Sequence, residues 1–307
     1  MGPSPAERGR ALVASTVAVV VWGFGPLFIR GIDMSASALV FWRFVISLPV
    51  MVGACYVAGQ QLSWEIMRRM AAPAALFGLS FISGFLSYQK TSIVNASLIG
   101  SLQPALLLAV APFLFRTRTT VRQIVFGIVA LAGVAALVLG AGGSGGSSYV
   151  GDLWAALTLL LWTVYFAWAQ HVRGAGHHPL EMLAAVFIVS FIVTTPVTLV
   201  TADDIGDISW KAALLLLAQS VGPGLVGHGL MTWSQRHLDI RVVSLLGLGS
   251  PVVSAIGAWI VFDQRLRALQ MVGAVIVLVG LGGIVGERTH TKTVEPAAAV
   301  PGTAPDP

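Results

Sequence analysis

Apolar runs of about 18 or more residues recur along nearly the whole chain, each long enough for a helix to cross a hydrocarbon core of roughly 30 Å. Read between polar or Gly/Pro breaks, they place spans near residues 11–30, 35–57, 72–90, 93–115, 121–140, 152–172, 179–201, 209–232, 241–262 and 267–286. The fourth and ninth have ambiguous starts, because the stretches at 90–95 (KTSIVN) and 238–241 (LDIR) read equally as loop or helix. The segment GAGGSGGSS at 140–148 has the composition of a flexible linker. The organisation is therefore a tail over 1–10, five spans over 11–140, a linker over 141–151, five spans over 152–286, and a Pro/Ala/Thr-rich tail over 287–307 expected to be disordered.

Composition agrees with this pattern. Of 307 residues, 56% are hydrophobic and 10% charged, where a soluble domain carries about 25% charged residues. A net charge of +5 would point to nucleic acid in a soluble protein, but here the basic residues sit in short loops and act as topology signals, so no nucleic-acid partner is expected. With the N-terminus inside, Arg8, Arg10, Arg68, Arg69, Arg116, Arg118, Arg122, Arg173, Arg236, Arg241, Arg288 and Lys292 face inward, against Arg30, Lys90, Lys211, Arg265 and Arg267 outside. Both termini are thus expected in the cytoplasm of a multi-pass cell-membrane protein. The single cysteine, Cys55, lies in a span, which leaves no intramolecular disulfide and no Cys-based metal cluster. Arg8 and Arg10 before an apolar run resemble a signal peptide, but the run from Ala11 to Ile29 is too long for one and contains Trp22 and Pro26.

The linker separates similar halves. Ser97, Leu98, Gly100, Pro104, Phe115, Arg118, Gln123 and Gly133 align at a constant shift of 147 with Ser244, Leu245, Gly247, Pro251, Phe262, Arg265, Gln270 and Gly280. Each half has five spans, an odd number, so the second copy enters the membrane from the opposite side. The predicted fold is an all-α integral membrane protein of ten transmembrane helices in two inverted five-helix repeats, an arrangement that gives secondary transporters two exchangeable conformations around a midplane site.

The sequence resembles the EamA-type transporters of the drug/metabolite transporter superfamily. The resemblance spans about 11–286 and rests on VWGFGPLFIR, FWRF, SLQPALLLAVAPFLF, GDLWAALTLLLWTVYF and SLLGLGSPVVSAIGAWIVF. It implies alternating-access transport, in the export direction, of a small organic metabolite such as an amino acid or a related drug-like compound. Family members commonly carry Gly-Glu where the fourth and ninth spans end; here those places read Phe115-Arg116 and Phe262-Asp263. The role of that glutamate therefore does not carry over to the first half.

All thirteen carboxylates fall in tails, loops or span ends, which gives no support to a carboxylate proton relay. Arg43 is different. It lies about eight residues inside the second span, where an arginine costs about 2.5–3.5 kcal/mol on insertion scales. One reading is a cation that binds an anionic substrate group; the other is an arginine that snorkels or bonds backbone carbonyls of a neighbour. His228 is a midspan group able to exchange a proton or to hydrogen-bond a neighbouring helix.

Residues 222–227, GPGLVG, match G-x-G-x-x-G. A dinucleotide loop needs a strand before it, whereas both flanks here are apolar helix, so no cofactor is expected. Pro223 should instead kink the eighth span and free carbonyls beside Gln219, Ser220 and His228. Trp22, Trp162 and Tyr165 are aromatic candidates for the cavity wall and Gln103 a polar one, while Pro104 and Pro251 read as paired hinges. GLGGIVG at 280–286 suits a close helix contact, within the chain or between two copies in a homodimer. Walker, H-E-x-x-H and G-x-S-x-G motifs do not occur, and His177-His178 with Glu181 is weak as a metal cluster. The alternative function is a membrane-embedded enzyme acting on a lipid or carrier-linked substrate. It would need to gather residues such as His171, His177, His178, Glu181, His237 and Asp239 at one face.

Overall fold

A computed structural model describes residues 4–106, 120–141, 146–173, 178–234, 237–238 and 246–286. All regular structure among these residues is helical: α1 (Pro5–Gly31), α2 (Ala36–Val57), α3 (Trp64–Lys90), α4 (Ile93–Gly100), α5 (Val121–Ala141), α6 (Tyr149–Arg173), α7 (Pro179–Thr201), α8 (Trp210–Gln219), a π-helical segment (Ser220–Gly227), α9 (His228–Ser234), α10 (Gly249–Phe262) and α11 (Ala268–Gly286). Among the described residues seven helices are long and apolar enough to cross a membrane, and shorter apolar helices cover Ile93–Leu106, Gly249–Phe262 and Ala268–Gly283. The remainders of the fourth and ninth expected spans, and the tail 287–307, lie outside the described residues.

Helices begin earlier than their apolar runs because caps, not hydropathy, start them. The tail assigned to 1–10 is helical from Pro5, where Ser4 and Glu7 form a reciprocal capping box with Pro5 at the first helical position. α3 starts at Trp64 rather than 72, behind the N-cap Ser63. α6 starts at Tyr149 and shortens the linker. Ser35, Ser92 and Ser209 cap α2, α4 and α8 in the same way, each hydroxyl accepting from a backbone N–H three residues on.

The connections alternate between two ends of the bundle. At one end Ser35 donates from N and Oγ to Asp204, Gln89 Nε2 donates to the Met34 carbonyl at 2.7 Å, and Ser148 N donates to Thr91 Oγ1 at 3.2 Å. There Arg30 Nη1 also donates to the carbonyls of Tyr88, Gln89 and Thr91, and Ile93 N donates to Gln264 Oε1 at 3.1 Å. At the opposite end Ser63 Oγ meets Glu181, and Ser234 Oγ donates to the Ala11 carbonyl. Helices running alternately up and down require this separation.

Packing follows the duplication. Under the 147-residue relation α1 corresponds to α6 and α3 to the run from α8 to α9. α3 lies along α6 while α1 lies along α8, the π segment and α9. Exchanging the halves converts the first contact into the second. The self-related pairs, α2 with α7 and α5 with α11, also touch. In the second of these, a Cβ on Gly133 would lie 2.7 Å from Val277 N, and a Cβ on its repeat mate Gly280 would lie 2.7 Å from Ala130 N. The glycine cluster of the last span therefore makes its close contact within the chain. Gln123 and Gln270, also repeat mates, each accept from the backbone N–H three residues upstream at 3.0 Å.

Candidate functional site

α2 is capped at Ser35 and presents Arg43 seven residues past its first residue, about 10 Å along the helix. Despite its charge Arg43 is only 5% exposed. Its guanidinium stacks 4.3 Å from the centroid of Phe81 and 5.9 Å from that of Phe85, both on α3. With its amide oriented to satisfy both ends, Gln219 accepts from Arg43 Nη1 at 2.9 Å and donates to the Gly25 carbonyl of α1 at 3.2 Å. Arg43 is thus held inside the bundle, and among the described residues no backbone carbonyl bonds it. It joins α1, α2, α3 and the end of α8 through one amide and two rings, and its Nε has no partner. No carboxylate pairs with it among the described residues.

The chain leaves α8 at Gln219 and continues as π-helix through Pro223. Proline has no N–H to close an α-turn and its ring clashes with the preceding turn, so the wider winding relieves both problems where a simple kink was expected. The Pro223 carbonyl accepts the Trp22 indole N–H at 3.1 Å. Glycines permit the approach: a Cβ on Gly227 would fall 2.6 Å from Trp22 Nε1, and one on Gly25 would meet Gln219 Oε1 at 3.4 Å and Pro223 Cγ at 3.5 Å. Helix flanks the G-x-G-x-x-G match on both sides, and its glycines serve packing. Ser220, next to Gln219, is fully buried, and its hydroxyl has no partner.

Trp162 and Tyr165 on α6 reach this region through phenylalanines. Phe81, under Arg43, lies 6.2 Å from Trp162, and Phe77 lies 5.4 Å from Trp162 and 4.7 Å from Tyr165, centroid to centroid. Of the sequence candidates, Arg43, Trp22, Gln219, Ser220 and Pro223 come together, with Trp162 and Tyr165 one aromatic layer away. Gln103 and Pro104 lie apart, just past a turn at Ser101 and Leu102 that interrupts α4, and no hydrogen bond or ring contact joins them to Arg43 among the described residues. Pro251 follows the equivalent turn at Leu248. His228 opens α9, but its side chain lies outside the described residues. Phe81 and Phe85 were not foreseen; a cation at helical depth needs π faces or donors around it, yet nothing in sequence says which.

A second polar centre was missed entirely. Asp152 in the first turn of α6 is 7% exposed and accepts from Thr91 Oγ1 at 2.7 Å and from Asn95 Nδ2 at 3.2 and 3.3 Å. Gln270 Nε2 reaches Asn95 Oδ1 at 3.5 Å. Among the described residues, the groups named for the enzyme alternative do not assemble. His178 caps α7 through Leu180 N, Glu181 meets Ser63, and His237 Nδ1 contacts the Trp233 carbonyl at the end of α9. His177 and Asp239, and the side chain of His171, lie outside the described residues. No cluster of three or more potential metal ligands occurs among the described residues.

The sequence matches the EamA-like transporter family over residues 9–139 and 149–286, one match on each half. The chain belongs to that family. It is 22% identical over 287 residues, 91% of its own length and 90% of the other's, to an uncharacterised transporter, YxxF, of Bacillus subtilis strain 168. It is 23% identical over 286 residues to a chloroplastic WAT1-related protein, At3g02690, of Arabidopsis thaliana, covering 89% of this chain and 65% of the plant protein. A protein crystal structure aligns with it at a TM-score of 0.62 and 19% identity over 89% of this chain and 95% of its own, a likeness of fold. This EamA-family chain is therefore a membrane transporter of the drug/metabolite superfamily.

Proposed function

We propose that this chain is a secondary transporter that exports a small organic metabolite, of amino-acid or related drug-like size, by alternating access between its two five-helix repeats. One observation carries the reading. Arg43, a charged residue at membrane depth, is held by Gln219 where α1, α2, α3 and the π segment converge. In this reading Arg43, Gln219 and Ser220 hold the polar group of the cargo, Trp22, Trp162, Tyr165 and Gln103 line its path, and His228 is available for proton exchange. Pro104, Pro223 and Pro251 are the hinges. Both termini face the cytoplasm of the cell membrane, which puts the end tied by Ser35 and Asp204 outside.

The exchange symmetry of the contacts and the paired breaks beside Pro104 and Pro251 support alternating access, because two related units can trade conformations at similar energy. Export as the net direction rests on the family resemblance. The test is counterflow of labelled small metabolites in proteoliposomes, with and without a pH gradient. Accumulation against a preloaded unlabelled pool is the expected result, and stimulation by the gradient would implicate His228. A folded, reconstituted protein that moves none of a broad panel would overturn the reading.

A further inference from the structure

Resting on that reading, we infer that the cargo is an organic anion bearing a single carboxylate and no compensating ammonium, with Arg43 as its counter-ion inside the membrane.

The argument is one of unbalanced charge. A guanidinium stays protonated, so Arg43 brings a full positive charge to a place only 5% exposed. What surrounds it is neutral: the Gln219 amide oxygen at 2.9 Å and the rings of Phe81 and Phe85. The buried acids of the described structure are engaged elsewhere, Asp152 with Thr91 and Asn95, and the half-buried Asp204 with Ser35. A buried charge is stabilised best by an opposite charge with good geometry. Nothing within hydrogen-bond reach of Arg43 in the described chain supplies one.

Two further observations point to a ligand. Arg43 Nε and Ser220 Oγ are buried polar atoms without partners, and native interiors leave few such atoms. Both are donors that a carboxylate accepts. Gly224 also lies beside the guanidinium: a Cβ there would stand 3.9 Å from Arg43 Nη2, and glycine places no side chain at that point. The planar guanidinium can then offer two parallel N–H groups to one carboxylate, while the Gln219 amide can turn back towards Gly25.

A zwitterion fits worse. Its ammonium would sit within a few bonds of its carboxylate, hence close to Arg43, with no acid there among the described residues to receive it. An amide of the same shape would leave the cation unneutralised. The site selects by charge first and by the apolar wall of Phe77, Phe81, Trp162 and Tyr165 second. Loaded, the site is neutral; empty, it is a cation.

The test uses purified full-length protein and three matched series of probes: straight and branched carboxylates of three to ten carbons, their primary amides, and the α-amino acids of the same skeletons. Binding is read by ligand-induced thermal stabilisation and by calorimetry, for the natural chain, Arg43→Gln, Arg43→Lys and Ser220→Ala. The expected result is binding confined to carboxylates, at least tenfold tighter than the matched amide or amino acid. Arg43→Gln should abolish it and melt no lower than the natural chain, since it removes an uncompensated charge. Arg43→Lys should retain the preference for anions at lower affinity, and Ser220→Ala should weaken binding several-fold. Amino acids or amides binding as tightly as carboxylates, an undiminished preference in Arg43→Gln, or no carboxylate binding at all would overturn the inference. The two readings fail separately. Carboxylates that bind but do not exchange in counterflow would sink the transporter and leave the anion site standing, whereas amino acids that exchange while carboxylates do not would do the reverse.

Discussion

Ser101 and Leu248 stand 147 positions apart and share one backbone conformation, φ −70°, ψ −10° and φ −64°, ψ −14°. Each marks the break in an apolar helix three residues before a proline, Pro104 in the first half and Pro251 in the second. Proline cannot donate to the carbonyl four residues back, Gly100 or Gly247. The turn is thus built into both halves by the same residue at the same place. Breaks preserved at equivalent positions are suited to act as a pair.

If those breaks are hinges, restoring the missing N–H stiffens them. Pro104→Ala and Pro251→Ala should each slow counterflow by about three- to tenfold, a barrier increase of about 0.7–1.4 kcal/mol. The double variant should be slower than either, and the equilibrium binding of cargo should change little. Unaltered rates in the double variant would remove the hinges from the mechanism.

The α5–α11 contact has no room for a methyl group at its repeat-mate glycines, because the atoms nearest the added Cβ are backbone nitrogens of Val277 and Ala130. Gly133→Ala and Gly280→Ala should each destabilise the protein by about 1–3 kcal/mol through overpacking. Thermal unfolding in detergent measures this, and Gly282→Ala, with nothing within 4 Å of its Cβ, is the control expected to melt like the natural chain.

Asp152 accepts hydrogen bonds from Thr91 and Asn95 and donates none. Asp152→Asn puts an NH₂ group where a carboxylate oxygen meets donors, which should cost about 1–3 kcal/mol. The melting temperature should fall. Thr91→Val in the Asp152→Asn background should then cost less than it does alone, which a double-mutant cycle reads directly.

Asp263 ends α10 in the left-handed region, with φ 49° and ψ 33°. Its side chain pairs with Arg265 at 3.0 Å, but both partners are more than three-quarters exposed, so the pair adds little. Asp263→Gly should therefore stabilise the protein by about 0.5–1 kcal/mol by relieving the backbone. A lower melting temperature would show that the ion pair outweighs the strain.

Much of the fold was legible in sequence because a bilayer leaves backbone polar groups no partner except their own helix. The apolar runs located the helices, and the aligned Pro104 and Pro251, Gln123 and Gln270, and Gly133 and Gly280 located the repeats. Helix starts were misplaced wherever a cap lay in a polar stretch, as at Ser4 and Ser63. Arg43 and Gln219 were each visible as polar residues out of place. That they bond each other was not, since it depends on how α2 and α8 pack across 176 positions of chain. The π-helical winding after Gln219 was hidden for a similar reason: Pro223 announces a disruption, and the neighbours Trp22 and Gly25 decide its form. Asp152 looked like an ordinary span-end acid because burial of a carboxylate by Thr91 and Asn95 leaves no periodic mark.

The central claim, alternating access at the π segment, is tested most directly by the accessibility of Ser220→Cys in a Cys55→Ala background. Ser220 is fully buried and adjoins Gln219, the partner of Arg43. A membrane-impermeant thiol reagent is applied to oriented vesicles from one face and then, in a separate preparation, from the other. The account predicts modification from both faces, at rates that cargo reduces in each case. Modification from a single face, or from neither while counterflow proceeds, would contradict it.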